Sequence, residues 1–201
     1  MLGIGVVKAA IGLRNPGLQY VGTRHNIGFE VIEVLCDRYR AVLKPGPSRV
    51  RADVADVRVG AERLVLAAPQ SFMNESGRPV ASVAKYFKIE LEDLLVVYDD
   101  IDLPFGRLKL AFEGGHGGHN GLRSVEAALG TREYPRLKVG VGRPPGRMDP
   151  AAYVLKPFSK AEREEVDFQI EDAADAVELF LVDPIAAQQS ANSRRPHVGP
   201  E

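Results

Sequence analysis

The chain has a single cysteine in 201 residues, Cys36. An intramolecular disulfide is thereby excluded, and the count fits a reducing compartment. Cys36 falls in an apolar helical run, which marks it as a packing residue rather than a nucleophile. Excess charge of one sign is also missing. The formal net charge is −1, so no overall positive field advertises nucleic-acid binding. No apolar run reaches the length of a membrane span. The N-terminus lacks the apolar stretch and cleavage site of a signal peptide, and the expected location is the cytoplasm. No repeat and no internal linker is visible. What is there suffices for one domain: 45% of residues are hydrophobic, enough for a real core.

The pattern along the chain alternates. Val6–Leu13 reads as a buried strand running into the Asn15-Pro16-Gly17 turn. Residues 27–40 read as a helix with Phe29, Ile32, Leu35, Cys36 and Tyr39 on one face. Val50–Val59 and Arg63–Ala67 form a hairpin around Gly60. Val80, Val83, Ala84 and Phe87 make a second helical face. Leu94–Tyr98 suits a central strand, and Leu108–Phe112 and Leu137–Val141 are further strands. Leu122, Val125 and Leu129 form a short helix stopped by Gly130. Ser159 and Glu162 form a capping box for a last helix, whose inward face is Val166, Ile170, Ala173, Val177 and Leu181. Strands interleaved with helices predict an α/β fold: a single-domain three-layer sandwich, its central mixed sheet flanked by helices. The domain is expected to span 1–190, with 191–201 a flexible C-terminal tail.

Four polar clusters interrupt these elements. The first is Gly12-Leu13-Arg14-Asn15-Pro16-Gly17 with Tyr20 and Thr23-Arg24-His25-Asn26. The second is Pro69-Gln70-Ser71-Phe72-Met73-Asn74-Glu75-Ser76-Gly77, and the third Tyr98-Asp99-Asp100-Ile101-Asp102-Leu103-Pro104. The fourth is Gly114-Gly115-His116-Gly117-Gly118-His119-Asn120-Gly121. Side chains gathered on loops beside a rigid sheet are the usual material of an active site. His25 can take a proton from water at neutral pH, because imidazole titrates at about 6.5. A carboxylate just past a strand end can fix its tautomer and favour the imidazolium. Asp99, Asp100 and Asp102 are all candidates for that part. Strand alternation puts Asp99 and Asp100 on opposite faces, so those two do not share a role. For Asp100 and Asp102, capping and turn chemistry is the plainer reading. Asn15, Asn74 and Asn120 offer uncharged donors and acceptors, which an ester oxyanion and a peptide backbone both need.

Together the four clusters resemble, in order, the motifs of the bacterial peptidyl-tRNA hydrolase family, over roughly residues 7 to 190. The resemblance implies hydrolysis of the ester between a peptide and the 3′ end of tRNA, without metal or organic cofactor, by a cytoplasmic monomer that frees tRNA from stalled translation. It implies that His25 is the base, that Asp99 is its carboxylate, and that Asn15 tells blocked from free aminoacyl groups. Asn74 and Asn120 would hold the substrate near the ester, and His119 would line the site. Tyr20 and Phe72 would offer aromatic surface to the terminal nucleotide or the peptide. Some positions depart from the family pattern. Arg14 stands where glycine is usual, Ser71 replaces threonine, and Phe105 is unusual before Gly106. Ala111 stands where some members carry a basic residue, which leaves the tRNA-backbone contacts open.

Positive charge for tRNA is sought in residues 101–148, which hold Arg107, Lys109, Arg123, Arg132, Arg136, Lys138, Arg143 and Arg147. Arg136, at the start of a strand, is the preferred contact. Two other readings stand beside the esterase. One is a non-catalytic RNA-binding module on the same scaffold, for which a base and carboxylate would be superfluous. The other is a metal-dependent phosphoesterase built on the aspartates and histidines. His25, His116 and His119 have no recognisable zinc spacing, and the glycine run of the fourth cluster lacks the Lys-Ser/Thr ending of a P-loop.

Overall fold

A computed structural model describes residues 7–197. Seven strands form one sheet in the order β2-β3-β4-β1-β5-β7-β6. β1 (Val7–Gly12), β4 (Glu62–Pro69), β5 (Leu94–Asp100) and β7 (Arg136–Gly140) are parallel neighbours. β2 (Lys44–Pro45), β3 (Ala52–Val59) and β6 (Leu108–Ala111) are antiparallel additions at the two edges. The sheet is therefore mixed, as expected. β5 lies inside the sheet, between β1 and β7, where its run of apolar residues tolerates burial on both faces.

Alternation along the strands divides the core in two. Ala10, Leu66, Leu95, Val97 and Val139 pack with α1 (Ile27–Arg38), α5 (Lys160–Val182) and α6 (Pro184–Ser193). Ala9, Ile11, Val65, Val96 and Tyr98 pack with α2 (Gly77–Phe87) and α3 (Asn120–Leu129). The expected inward residues of α5 are all buried. Its capping box is present, Ser159 Oγ accepting from the Glu162 N–H and Glu162 accepting from the Ser159 N–H.

Three expectations change. On α1 the buried face is Ile27, Val31, Ile32, Leu35 and Cys36, with Phe29 turned toward the Arg14 guanidinium instead. The rotation follows from glycine packing. A Cβ on Gly12 would stand 2.3 Å from the Gly28 carbonyl oxygen, and one on Gly28 would stand 2.2 Å from that of Val97. Two bare α-carbons thus let the start of α1 lie directly on β1 and β5. Second, the short helix α4 (Pro150–Val154) and helix α6 stand where no element was predicted. Third, the tail expected from residue 191 overlaps the end of α6. Beyond it, Arg194 is buried and paired with Glu165 and Asp172 at 2.7 and 2.6 Å. Its last residues, 198–201, and the expected first strand residue, Val6, lie outside the described residues.

Candidate active site

The parallel strands β4, β1, β5 and β7 end on one side of the sheet, and the loops that follow them meet there. This is where ligands of open α/β sheets gather. Asp99, next to last in β5, is buried, with 1% of its side chain exposed. One of its oxygens, Oδ1, lies 2.8 Å from His25 Nδ1 and 2.9 Å from His119 Nε2. Of the three candidate aspartates, Asp99 is therefore the one that meets the imidazoles. Asp100 does something else: its Oδ1 accepts from the N–H groups of Asp102 and Leu103, and its Oδ2 pairs with Lys138 at 2.8 Å. Asp102 pairs with Arg143 at the rim.

The two imidazoles are not equivalent. His119 caps the N-terminus of α3, its Nδ1 accepting from the Leu122 N–H at 3.2 Å. Its Nε2 therefore carries the proton given to Asp99, and both nitrogens are committed. His25 gives Nδ1–H to the same oxygen, while its Nε2 has no partner among the described residues. Burial by itself would lower the His25 pKa. The charge of Asp99 and its hydrogen bond outweigh that and raise it. Burial in turn would raise the Asp99 pKa, but the two imidazoles hold it well below the usual carboxylate range. His25, Asp99 and His119 also form the group among the described residues whose donor atoms lie close enough to ligate one ion. Here those atoms are engaged with one another at hydrogen-bond distance.

The turn that carries His25 is braced from both sides. Arg24 is buried; its guanidinium donates to the Lys156 and Pro157 carbonyls and, through Nη2, to both oxygens of Glu162 at 2.7 and 2.9 Å. It lies over the rings of Tyr153 and Phe158. On the other side Asn26 accepts from the Asn15 N–H and donates to the Asn15 carbonyl. Asn15 Oδ1 accepts from the Met73 N–H at 2.8 Å. That bond fixes the amide: Oδ1 is spent, and Nδ2 remains as donor.

Around this centre lies a cleft of about 660 Å³, lined by His25, Asn15, Asn74, Asn120, His119 and Lys138, among others. Four residues from three loops that were expected at one site, Asn15, His25, Asn74 and Asn120, thus share one cavity with Asp99. A family model described as peptidyl-tRNA hydrolase matches residues 9–198. The chain belongs to the peptidyl-tRNA hydrolase family. It is 51% identical over 179 residues to the peptidyl-tRNA hydrolase of Frankia casuarinae, covering 89% of this chain and 90% of the relative. It is 51% identical over 171 residues to that of Mycobacterium tuberculosis, covering 85% and 89%. The crystal structure of peptidyl-tRNA hydrolase from Acinetobacter baumannii superposes with a TM-score of 0.88 at 31% identity, over 94% of this chain and 96% of that one.

Within this peptidyl-tRNA hydrolase framework the remaining candidates separate. Tyr20 and Phe72 stack edge to face, ring centroids 6.3 Å apart, beside the Asn15 and Met73 loops. They do not line the cleft. Phe72 is 51% exposed. Arg136, expected to contact tRNA, is not at the surface. It is wholly buried, lies over the Tyr134 ring, and donates to the Arg132 carbonyl. It begins β7 opposite Val96, two residues deeper than Lys138, so no phosphate can reach it. Lys138, on the same strand, lines the cleft. Sequence reading also missed Arg24, Asn26 and Met73 as supports, and α4 as a wall, through Pro150, Ala151 and Val154. Arg24 and Asn26 flank His25 directly, which was the available signal. Nothing local marks Met73.

Proposed function

We propose that this chain cleaves peptidyl-tRNA by activating water at His25 Nε2. Hydrolysis of the peptidyl-tRNA ester is the reaction of the family; the division of labour among residues is read from the geometry. Asp99 holds His25 as the Nδ1–H tautomer, so Nε2 faces the substrate as an acceptor. Water gives its proton to Nε2 and its oxygen attacks the ester carbonyl. The imidazolium that forms is stabilised by the buried carboxylate. Amide donors, Asn15 Nδ2 foremost, are available to the oxyanion or to the substrate's first peptide carbonyl. When the tetrahedral intermediate collapses, the 3′ oxygen of tRNA leaves and takes the proton back from His25. The cleft is complete within one chain, which supports action as a monomer. The substrate is a product of translation, and the cytoplasm is the compartment proposed.

The observation that carries this reading is the unequal commitment of the two imidazoles on Asp99. It supports His25 as the base and a positioning part for His119. The test is release of N-blocked amino acid from N-blocked aminoacyl-tRNA. His25→Ala should reduce kcat by at least about 10²-fold, the lower range for general-base assistance, with tRNA binding retained. His119→Asn, which keeps a capping acceptor, should leave more activity than His25→Ala. The reverse order would make His119 the base. Retained tRNA binding by a wild-type chain with no turnover would favour the RNA-binding module. Loss of turnover in EDTA would favour a metal-assisted reaction.

A further inference from the structure

Arg14 lies next to Asn15 and ties together four segments. Its Nε donates to the Pro69 carbonyl at 3.0 Å, and its Nη2 donates to Asp53 Oδ2 at 2.6 Å. The guanidinium lies 4.4 Å from the centre of the Phe29 ring on α1. The other Asp53 oxygen, Oδ1, accepts from Gln70 Nε2 at 2.6 Å. Both charged side chains are largely covered, with 14% of Arg14 and 21% of Asp53 exposed. A bidentate-capable, planar guanidinium held by a carboxylate, a carbonyl and a ring has little freedom left.

These contacts close a circuit. Met73, whose N–H sets the Asn15 amide, lies four residues beyond Pro69 and three beyond Gln70. Arg14 grips the start of that segment, and Asn15 grips its end. The segment 69–73 is thus tied to the β1–α1 loop at both ends. Asn74, the next residue after Met73, lines the same cleft as Asn15. No contact of Arg14 reaches His25 or Asp99.

We propose that the Arg14–Asp53 pair is a positioning device for Asn15, and through it a determinant of selectivity for substrates with a blocked amino group. The proposal rests on the reading that Asn15 engages the first amide of the substrate. Arg14 acts through Asn15 and touches no reacting atom. Its effect belongs to selectivity, and the proton chemistry at His25 is independent of it.

The test compares kcat/KM for N-acetyl-aminoacyl-tRNA with that for the unblocked ester, in Arg14→Met, Asp53→Asn and the double variant, with Asn15→Asp as reference. A misplacement on the order of 1 Å can cost up to about 10²-fold, and each single variant should lower the selectivity ratio by about tenfold. The double variant should be no worse than either single one, the signature of residues acting as a unit. The acidic limb of the pH–rate profile should stay in place. Should Arg14→Met fold poorly, Asp53→Asn carries the test, since it keeps the shape of the side chain. If Asn15→Asp erodes selectivity but the Arg14 and Asp53 variants lose both substrates by one factor, the pair is merely structural and the proposal falls. If Asn15→Asp leaves selectivity intact, the reading of Asn15 fails and takes the proposal with it.

Discussion

Asp99 offers one oxygen to two imidazoles, and that sharing has a pH consequence. The carboxylate raises the pKa of His25 against the opposing effect of burial. In the proposed mechanism His25 must be unprotonated, so the acidic limb of the profile should follow the His25 pKa. Asp99→Asn removes the charge and keeps the shape. Maximal kcat should fall, because the neutral amide no longer enforces the productive tautomer. The acidic limb should move to lower pH, because burial then acts unopposed. Asp100→Asn should leave that limb unmoved, since Asp100 serves Lys138 and the following turn. A profile of kcat/KM from pH 4 to 9 separates the two, and an unshifted limb in Asp99→Asn would remove the carboxylate from the proposed mechanism. The sign for stability is separate. His25, with its raised pKa, stabilises the fold below the unfolded value of about 6.5, and that contribution fades as pH rises through the folded value. Asp99, with its lowered pKa, stabilises above about 3.9, and its contribution is lost in acid. His25 and Asp99 were legible as residue types in turn contexts. The double engagement of His119 was not. It depends on α3 starting at Asn120, so that the residue before it serves at once as cap and as ligand of the carboxylate.

Elements with a strong period were legible for the same reason that they are stable. β5 and α5 bury what their patterns said they would, and the Ser159 capping box formed. α4 was not legible: it is five residues long, and five residues do not establish a period. α6 was not legible either, and its last three residues fall in the expected tail; it buries Ala187 and Ala191 against β6, small residues that carry little hydrophobic signal. α4 and the segment after it matter to the site through Arg24, which joins the His25 turn to residues 153–162 by charge, carbonyls and rings. Burial raises the Glu162 pKa, while the Ser159 N–H and the Arg24 guanidinium more than offset it and lower it. Arg24→Met should keep an apolar contact with Tyr153 and Phe158 but leave the Pro157 carbonyl without its donor and Glu162 with the Ser159 N–H alone. Breaking a buried pair costs about 3–5 kcal/mol, and the partial exposure of Glu162 puts the expected loss at about 3 kcal/mol or less. Chemical denaturation would measure it. Below the unfolding range, kcat should fall more than KM rises, because the loosened turn carries the base. Wild-type kcat in a destabilised variant would show that β1 and Asn26 suffice to place His25.

At the scale of the whole molecule, a net charge of −1 conceals a division. The groove between α1 and α5 is acidic, lined by Glu30, Glu33, Asp37, Asp167 and Glu171, with Arg163 paired inside it. The cations of the stretch that the sequence indicated, residues 101–148, are sorted by burial. Arg136 is a core residue, held by Tyr134, Glu126 and two loop carbonyls. Arg123, Arg143 and Arg147 are exposed, and Lys138 stands in the cleft itself. Sequence spacing could not tell Arg136 from Lys138, because both lie on one face of β7, and only depth along the strand differs. The two therefore make opposite predictions. Arg136→Glu should fail by destabilisation, since it buries a second carboxylate near Glu126 and removes the guanidinium's bonds to the Gly115 and Arg132 carbonyls. Lys138→Glu should fold, and should raise KM for full-length peptidyl-tRNA while lowering its salt dependence. Removing one lysine–phosphate ion pair takes about 0.7–0.9 from the slope of log affinity against log salt. A short substrate, with only the 3′ nucleotide and the blocked amino acid, should be affected less. If Lys138→Glu keeps the wild-type salt slope and slows both substrates equally, then Lys138 serves Asp100 alone. The tRNA backbone would then cross another face of the protein.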